Sequence, residues 1–180
     1  LRKGHLVLAD RSALVAGYSG QTAVKMKAVV AEGLGGVLFV DEAYALVSGD
    51  RDAFGKEALD TLMKEMEDHR SDLVVIAAGY NDEMRELLAA NPGMESRFPT
   101  TLRFADYDAC ELMAIAEANL RPQRLTLGEG ASELLERHFE EDIERRAEGQ
   151  KGSNGRGVRN LLEAAKRAQA LRLAEIKRAK

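Results

Sequence analysis

The chain has 180 residues, of which 45% are apolar and 31% are charged, and its formal net charge is −4. This length suits one large domain or a domain with a smaller companion, and it allows a proper core. An acidic balance without a block of basic residues argues against a dedicated nucleic-acid surface, so no nucleic-acid partner is expected.

No apolar run approaches the ~20 residues that a membrane span needs, and no signal peptide is visible. The single cysteine, Cys110, excludes an internal disulfide and fits a reducing compartment. It lies in a helical pattern, where we expect it to pack against neighbours. Together these features predict a cytoplasmic protein.

Short apolar runs alternate with helical patterns through the first half of the chain. The runs lie at residues 5–9, 37–40, 73–78 and 101–104. The helical patterns lie at residues 22–32 and 54–67, and a third follows Asn81, which can act as its cap. Strands that alternate with helices predict βαβ units and a parallel sheet.

The pattern becomes wholly helical after about residue 106. Asp108, with Glu111 three residues on, is typical of a helix start. A second helix is predicted over residues 131–146, and a Gly-rich loop over 149–157 precedes the last one. The sequence therefore predicts an α/β domain at residues 1–105 and a small all-helical domain at 106–180.

Residues 35–42 are the stretch around which the chain is organised. Four apolar residues bounded by a Gly pair run into Asp41 and Glu42, which predicts a strand buried on both faces of the sheet. Both carboxylates then stand at the carboxyl end of the strand, where open α/β sheets bind ligands. Nucleotide hydrolysis needs this arrangement: one acid orients Mg²⁺ on the phosphates, and the other acts as general base. The plainer alternative is a buried strand that ends in two solvated acids.

Two further features leave alternatives open. Tyr18 lies between Gly17 and Gly20, and it is either a half-buried loop aromatic or an exposed tip that grips another chain. The three histidines lie far apart in the sequence without metal-ligand spacing, so we expect no histidine metal site.

The motifs stand in a recognisable order that resembles the AAA+ ATPases, most closely the CbbX-like group. Residues 37–44 and 75–80 are the most group-specific pieces, and residues 54–58 and 91–93 add to them. The resemblance covers almost the whole chain. It implies a P-loop NTPase-type sheet followed by a helical lid, with ATP and Mg²⁺ as cofactors.

The resemblance also implies roles for three residues of the hydrolytic site. Asp41 and Glu42 match the Walker B pair, in which Asp41 serves Mg²⁺ and Glu42 activates water. Arg97 matches the arginine finger, which reaches the γ-phosphate of a neighbouring subunit and neutralises charge in the transition state. The alternative for Arg97 is a surface salt bridge.

Other site residues are implied in the same way. Tyr18, with Ser19 and Gly20, matches the first pore loop, which grips substrate polypeptide in the central channel of a ring. The polar sensor 1 position falls at Tyr80 or Asn81.

In the helical domain, Arg156 matches the sensor 2 arginine, which links the lid to the nucleotide. Arg159 is one turn further along the helix. It either shares that role or pairs with an acid.

One expected motif is absent from these 180 residues, namely the phosphate-cradling Gly-x-x-x-x-Gly-Lys-Ser/Thr loop. In the family this loop precedes the strand at residues 5–9, and the sheet has the strand order 5-1-4-3-2. We therefore expect that the chain supplies strands 2 to 5, begins after strand 1 and the loop, and is inactive by itself.

The implied function is that of an ATP-driven remodeller of protein substrates, which works as a homo-oligomeric ring, and the resemblance implies a hexamer. Rubisco activation, sporulation and secretion are all compatible with the resemblance. A non-catalytic scaffold of the same fold is the competing hypothesis, and the presence of all four residues Asp41, Glu42, Arg97 and Arg156 argues against it.

Overall fold

The computed structural model describes residues 1–18, 20–47, 49, 52–91, 93–128, 130–147 and 154–178. The chain divides into two compact units, Leu1–Arg103 and Phe104–Lys180. The first unit combines helices with a parallel sheet, and the described part of the second is helical. The predicted fold class, a parallel α/β sheet followed by a helical lid, is confirmed.

The elements of the first unit follow one another closely. In chain order they are β1 (Leu6–Ala9), α1 (Arg11–Leu14), α2 (Gln21–Gly33), β2 (Val37–Val40), a 3₁₀ turn (Ala43–Leu46), α3 (Ala53–Asp68), β3 (Val74–Ala77), α4 (Asn81–Ala90) and α5 (Met94–Arg97). Asp10 and Asp52 cap α1 and α3, since their side chains accept hydrogen bonds from backbone amides in the first turn.

β2 lies in the middle of the sheet, whose described strands have the order β1-β2-β3. All pairs are parallel, and the register places Leu6 beside Val37 and Val37 beside Val74. Each strand is a four-residue apolar run, and β-branched residues supply most of β2 and β3, which suits the sheet interior.

The two faces of the sheet differ in burial. On one face Leu38 and Val40 are fully buried, and they share a core with side chains of α2 and α3. On the other face Leu8 is 70% exposed and Ile76 is 44% exposed. Phe39 of β2 lies on that second face and is only half-buried. The expectation of a strand buried on both faces is therefore met on one face only within the described residues.

Residues 101–104 do not form the predicted strand. No described strand pairs with them, and the side chains of Leu102 and Phe104 are 78% and 88% exposed. The physical reason is that a strand needs a hydrogen-bonding neighbour. In the implied order, that neighbour would be a strand that these 180 residues do not supply.

Three smaller expectations were also wrong. Tyr80, not Asn81, occupies the cap position of α4, because Tyr80 is still extended whereas Asn81 is already helical. The last helix includes residues 155–157, which the glycines had suggested to be loop. Cys110 is helical as expected, but it is exposed and not packed in the core.

The second unit is built from α6 (Ala109–Leu120), α7 (Ala131–Ala147) and α8 (Gly155–Arg178), with a 3₁₀ turn (Arg121–Gln123) after α6. Asp108 and Glu111 form the predicted capping box at the start of α6. The core of the unit consists of Leu112, Ala116, Leu120, Leu135, Phe139, Val158 and Leu162. Among the described helices of the whole chain, none combines the length and the apolarity that crossing a membrane requires.

Gly55 lies where α3 packs very closely against the 3₁₀ turn. Replacing it with a larger residue should therefore lower the stability of the protein. A Cβ atom there would lie 1.7 Å from the carbonyl oxygen of Leu46, which is backbone and cannot swing away. We expect Gly55→Ala to lower the free energy of unfolding by about 1–3 kcal/mol, as overpacking does. Chemical denaturation of the complete protein measures this.

Gly128→Ala is the matched control, because a Cβ at Gly128 would meet nothing within 4 Å. Its effect should stay within about 0.5 kcal/mol. Equal stabilities of the two variants would contradict the close approach at Gly55.

Candidate functional site

The acidic pair directly follows the central strand. Asp41 and Glu42 are both exposed, and the amide of Asp41 donates to the carbonyl of Ala9 at 2.8 Å, which extends the ladder between β1 and β2 by one step. The two carboxylates therefore stand at the carboxyl end of the sheet, as the sequence predicts. This is the edge at which parallel α/β sheets bind ligands.

Glu42 has an unusual backbone conformation. Its φ and ψ are 48° and 46°, in the left-handed region that few residues other than glycine adopt. Such a residue costs about 1–3 kcal/mol and persists only where its surroundings hold it. Here the Glu42 amide donates to Asp41 Oδ1 at 3.0 Å, and the Glu42 carbonyl accepts from the Ala45 amide at 2.7 Å.

The turn after Glu42 is also tied to the next strand. The Ala43 amide donates to the carbonyl of Ala78, and the Ala78 amide donates to the carbonyl of Val40, both at 2.9 Å. Hydrogen bonds within the turn and hydrogen bonds to Ala78 therefore hold the left-handed turn in place. The position of the Glu42 carboxylate depends on this turn.

The pair borders a cleft of about 350 Å³ at the end of β1 and β2. The cleft is lined by Asp10, Arg11, Ser12, Asp41, Glu42 and Ala45. Asp10 stands after β1 as Asp41 stands after β2. The hydroxyl of Ser12 donates to Asp10 Oδ1 at 2.6 Å, and this bond lowers the pKa of Asp10 from its ordinary value.

The donors in this cleft fit Mg²⁺, which binds oxygen ligands and is usually held by one or two carboxylates together with substrate phosphates. Asp41 would hold the ion, and Asp10 adds a further anionic oxygen. Among the described residues, no three Asp, Glu, His or Cys side chains form a complete metal cage.

Sequence reasoning missed Asp10, Ser12 and Arg11 as parts of this cleft. The signal was available, because residues 5–9 and 37–40 were both predicted to be parallel strands. Polar residues that directly follow such strands meet at one edge of the sheet.

Tyr44 follows the acidic pair in the chain, and its ring lies beside the residues that follow β3. Its ring lies 6.1 Å from that of Tyr80, and a Cβ at Gly79 would come within 2.7 Å of Tyr44 Cδ1. Burial, and then the negative charge of Glu42, raise the pKa of Tyr44, so its hydroxyl stays protonated at neutral pH. Tyr80 and Asn81 are both exposed beside it.

Tyr18 is an exposed tip, since 73% of its side chain is accessible. Its loop is closed at the base, where the Ala16 amide donates to Oγ1 of the fully buried Thr22 at 3.1 Å. Gly20 has a φ of 76°, which allows the chain to turn into α2. Ser19, the third residue assigned to this loop, lies outside the described residues.

Arg97 does not line the cleft. Its Nε donates to the carbonyl of Met63 at 3.2 Å, and its Nη1 donates to the carbonyl of Gly93 at 3.0 Å. Its Nη2 lies 3.9 Å from the carboxylate of Glu67. The guanidinium is thus held within its own unit.

Arg156 and Arg159 both lie in the first turns of α8, with exposed side chains. The start of this helix is fixed inside the second unit by Asn154, whose side-chain amide donates to Asp106 at 2.8 Å. Asp106 also lies 3.6 Å from Arg146 of α7. These contacts hold the first turn of α8 against the beginning of its own unit.

Sequence comparison identifies the class of protein that carries this fold and acidic edge. Residues 3–105 match the profile of the ATPase family associated with various cellular activities (AAA), and residues 108–180 match the AAA lid domain. The chain belongs to the AAA family of ATPases.

The relatives are more specific. The chain is 44% identical to stage V sporulation protein K of Bacillus subtilis (strain 168) over 173 residues, which are 96% of this chain and 53% of that protein. It is 41% identical to the protein CfxQ homolog of Galdieria sulphuraria over 174 residues, 96% of this chain and 56% of that protein. These similarities confirm membership of the CbbX-like group.

A third relative is the chloroplastic ribulose bisphosphate carboxylase/oxygenase activase of Cyanidioschyzon merolae (strain NIES-3377 / 10D). It is 41% identical over 174 residues, which are 96% of this chain and 58% of that protein. The chain thus spans little more than half the length of these curated relatives.

Proposed function

We propose that the complete protein is an ATP-driven remodelling ATPase in which Asp41 and Glu42 carry out hydrolysis. The observation that supports this most directly is the left-handed turn that fixes two exposed carboxylates at the carboxyl end of β2. Asp41 would hold Mg²⁺ against the phosphates, where the ion would supply neutralisation of developing charge. Glu42 accepts a proton from the attacking water.

Other residues complete the nucleotide site in this proposal. Tyr80 or Asn81, after β3, senses the γ-phosphate, with Asn81 the better hydrogen-bonding group. Arg156 binds the nucleotide from the lid, and Arg159 supports it or pairs with an acid. Arg97 acts in trans on the nucleotide of the next subunit in a closed hexameric ring.

The substrate is a polypeptide, gripped in the channel of the ring by Tyr18 with Ser19 and Gly20. An exposed aromatic ring between flexible glycines can hold a chain without sequence preference. The names of the relatives suggest a rubisco-like or sporulation-related client, and we propose a cytoplasmic location without a nucleic-acid partner. The competing hypothesis, a non-catalytic scaffold, predicts no ATP turnover.

Substitution of the catalytic residues should separate ATP binding from hydrolysis. In the complete protein we expect Glu42→Gln to bind ATP normally and to lose turnover by about 10²–10⁴-fold, because the general base is gone. Arg97→Ala should also lose turnover. Mixed rings that contain both variants should regain some ATP turnover, because some subunit interfaces then join an intact Glu42 with an intact Arg97. Steady-state phosphate release measures the turnover of each variant and of the mixed rings.

Turnover of Glu42→Gln within about twofold of wild type would contradict the role of the general base. The absence of rescue at every mixing ratio, while native mass spectrometry detects mixed rings, would contradict action of Arg97 in trans. Absence of turnover in the wild-type ring would favour the scaffold.

Replacement of Tyr18 should uncouple hydrolysis from remodelling. We expect Tyr18→Ala to reduce remodelling of the protein substrate about tenfold or more, because the contact that grips the chain is lost. ATP turnover should persist. Tyr18→Phe is the control, because it keeps the ring and should remodel like the wild type; equal remodelling by all three proteins would reduce Tyr18 to a loop residue.

Residues 1–180 alone should bind ATP only weakly. Affinity for a triphosphate comes mainly from a phosphate-binding loop, which these residues do not contain. One charge-assisted bond from Arg156 contributes about 1.5–3 kcal/mol, whereas a micromolar site needs about 8 kcal/mol. Calorimetric titration with Mg·ATP tests this, and a one-site isotherm with micromolar Kd would mean that the nucleotide is held elsewhere.

A further inference from the structure

Arg11 joins three parts of the first unit at one nitrogen atom. Its Nη1 donates to the carbonyls of Ala45 at 2.6 Å and Leu46 at 2.9 Å. The same atom lies 2.6 Å from Oδ2 of Asp52, whose side chain is only 10% exposed. A residue of α1 thus holds the end of the 3₁₀ turn and the cap of α3.

The carbonyl of Leu46 is fixed from two directions. Arg11 binds it, and Gly55 of α3 lies so close that a Cβ there would overlap it. The 3₁₀ turn therefore has little freedom to shift towards α3. Without the guanidinium, the carbonyls of Ala45 and Leu46 would lose these two hydrogen bonds to α1.

The same turn maintains the conformation of Glu42. The amide of Ala45 donates to the carbonyl of Glu42, while the carbonyl of Ala45 accepts from Arg11. Both contacts are made by Ala45, so a single residue links the left-handed Glu42 to Arg11. Because a strained residue relaxes unless its surroundings hold it, the contacts of Arg11 bear directly on Glu42.

We propose that Arg11 is a positioning residue for hydrolysis, which keeps Glu42 in its left-handed turn through the carbonyls of Ala45 and Leu46. The inference rests on the proposed role of Glu42 as general base. A guanidinium suits the task because it stays charged at all relevant pH values and offers several donors in a fixed plane. Arg11 also lines the cleft beside Asp41 and Glu42, so it lies next to the reacting groups.

The test compares Arg11→Gln and Arg11→Lys with wild type in the complete protein. We expect Arg11→Gln to reduce kcat about 10–100-fold, because small displacements of a catalytic group have effects of this size. The Kd for Mg·ATPγS should change less than about threefold, because nucleotide affinity comes from the phosphate-binding loop. Arg11→Lys, which keeps the charge and one donor group, should recover part of kcat.

A second readout follows the turn itself. Hydrogen exchange at the amide of Ala45 should be faster in Arg11→Gln, because this amide closes the turn on Glu42. Arg85→Gln is the matched control: Arg85 pairs only at the surface with Asp82, both side chains being largely exposed. It should keep kcat and exchange within about twofold of wild type, as exposed ion pairs contribute little.

The outcomes separate this inference from the proposed function. Loss of turnover in Glu42→Gln with wild-type kcat in Arg11→Gln would overturn the positioning role alone. Retained turnover in Glu42→Gln would overturn the proposed function on which it rests. A parallel loss of kcat, nucleotide affinity and thermal stability, without recovery in Arg11→Lys, would reduce Arg11 to a structural residue. If Arg11→Gln does not fold, Arg11→Lys carries the test: faster exchange at the Ala45 amide with a lowered kcat supports the proposal, and faster exchange with wild-type kcat overturns it.

Discussion

The pairing of β2 on both edges is the constraint on which the rest of the first unit depends. β1 and β3 hydrogen-bond only to β2 within the described sheet, so their register is set by it. Leu38 and Val40 bury completely against the helical side, which fixes the rotation of the strand as well. A one-residue slip would turn these side chains to the opposite face and expose them.

Because the end of β2 is fixed, the turn that follows it can keep a strained backbone conformation. Glu42 follows β2 in the left-handed region, and the turn after it is held by the carbonyl of Ala78, which directly follows β3, and by Arg11 of α1. Gly55 lets α3 approach the same turn closely. The turn that follows the acidic pair is therefore held in place from three other parts of the first unit.

The exposed tip at Tyr18 has its own support. Buried Thr22 closes the base of the loop, and Lys25 of α2 donates to the carbonyls of Ser12 and Val15 beside it. The loop thus connects to α1, whose first residue is Arg11. In this arrangement, one short helix contacts both the supports of the tip and the turn after the acidic pair. The pore loop and the hydrolytic site that we propose are therefore both connected to α1.

Elements with local sequence patterns could be predicted from the residues alone. Four-residue apolar runs between helical patterns predicted β1, β2 and β3, the charge after β2 predicted an acidic edge, and Asp108 with Glu111 predicted the start of α6. Features that depend on partners distant in the chain became visible only in the folded structure. Residues 101–104 lack a strand because no described neighbour pairs with them, although their local pattern favours one. The left-handed turn of Glu42 and the contacts of Arg11 arise because residues 34 to 41 positions apart in sequence meet at one sheet edge, which no local pattern encodes.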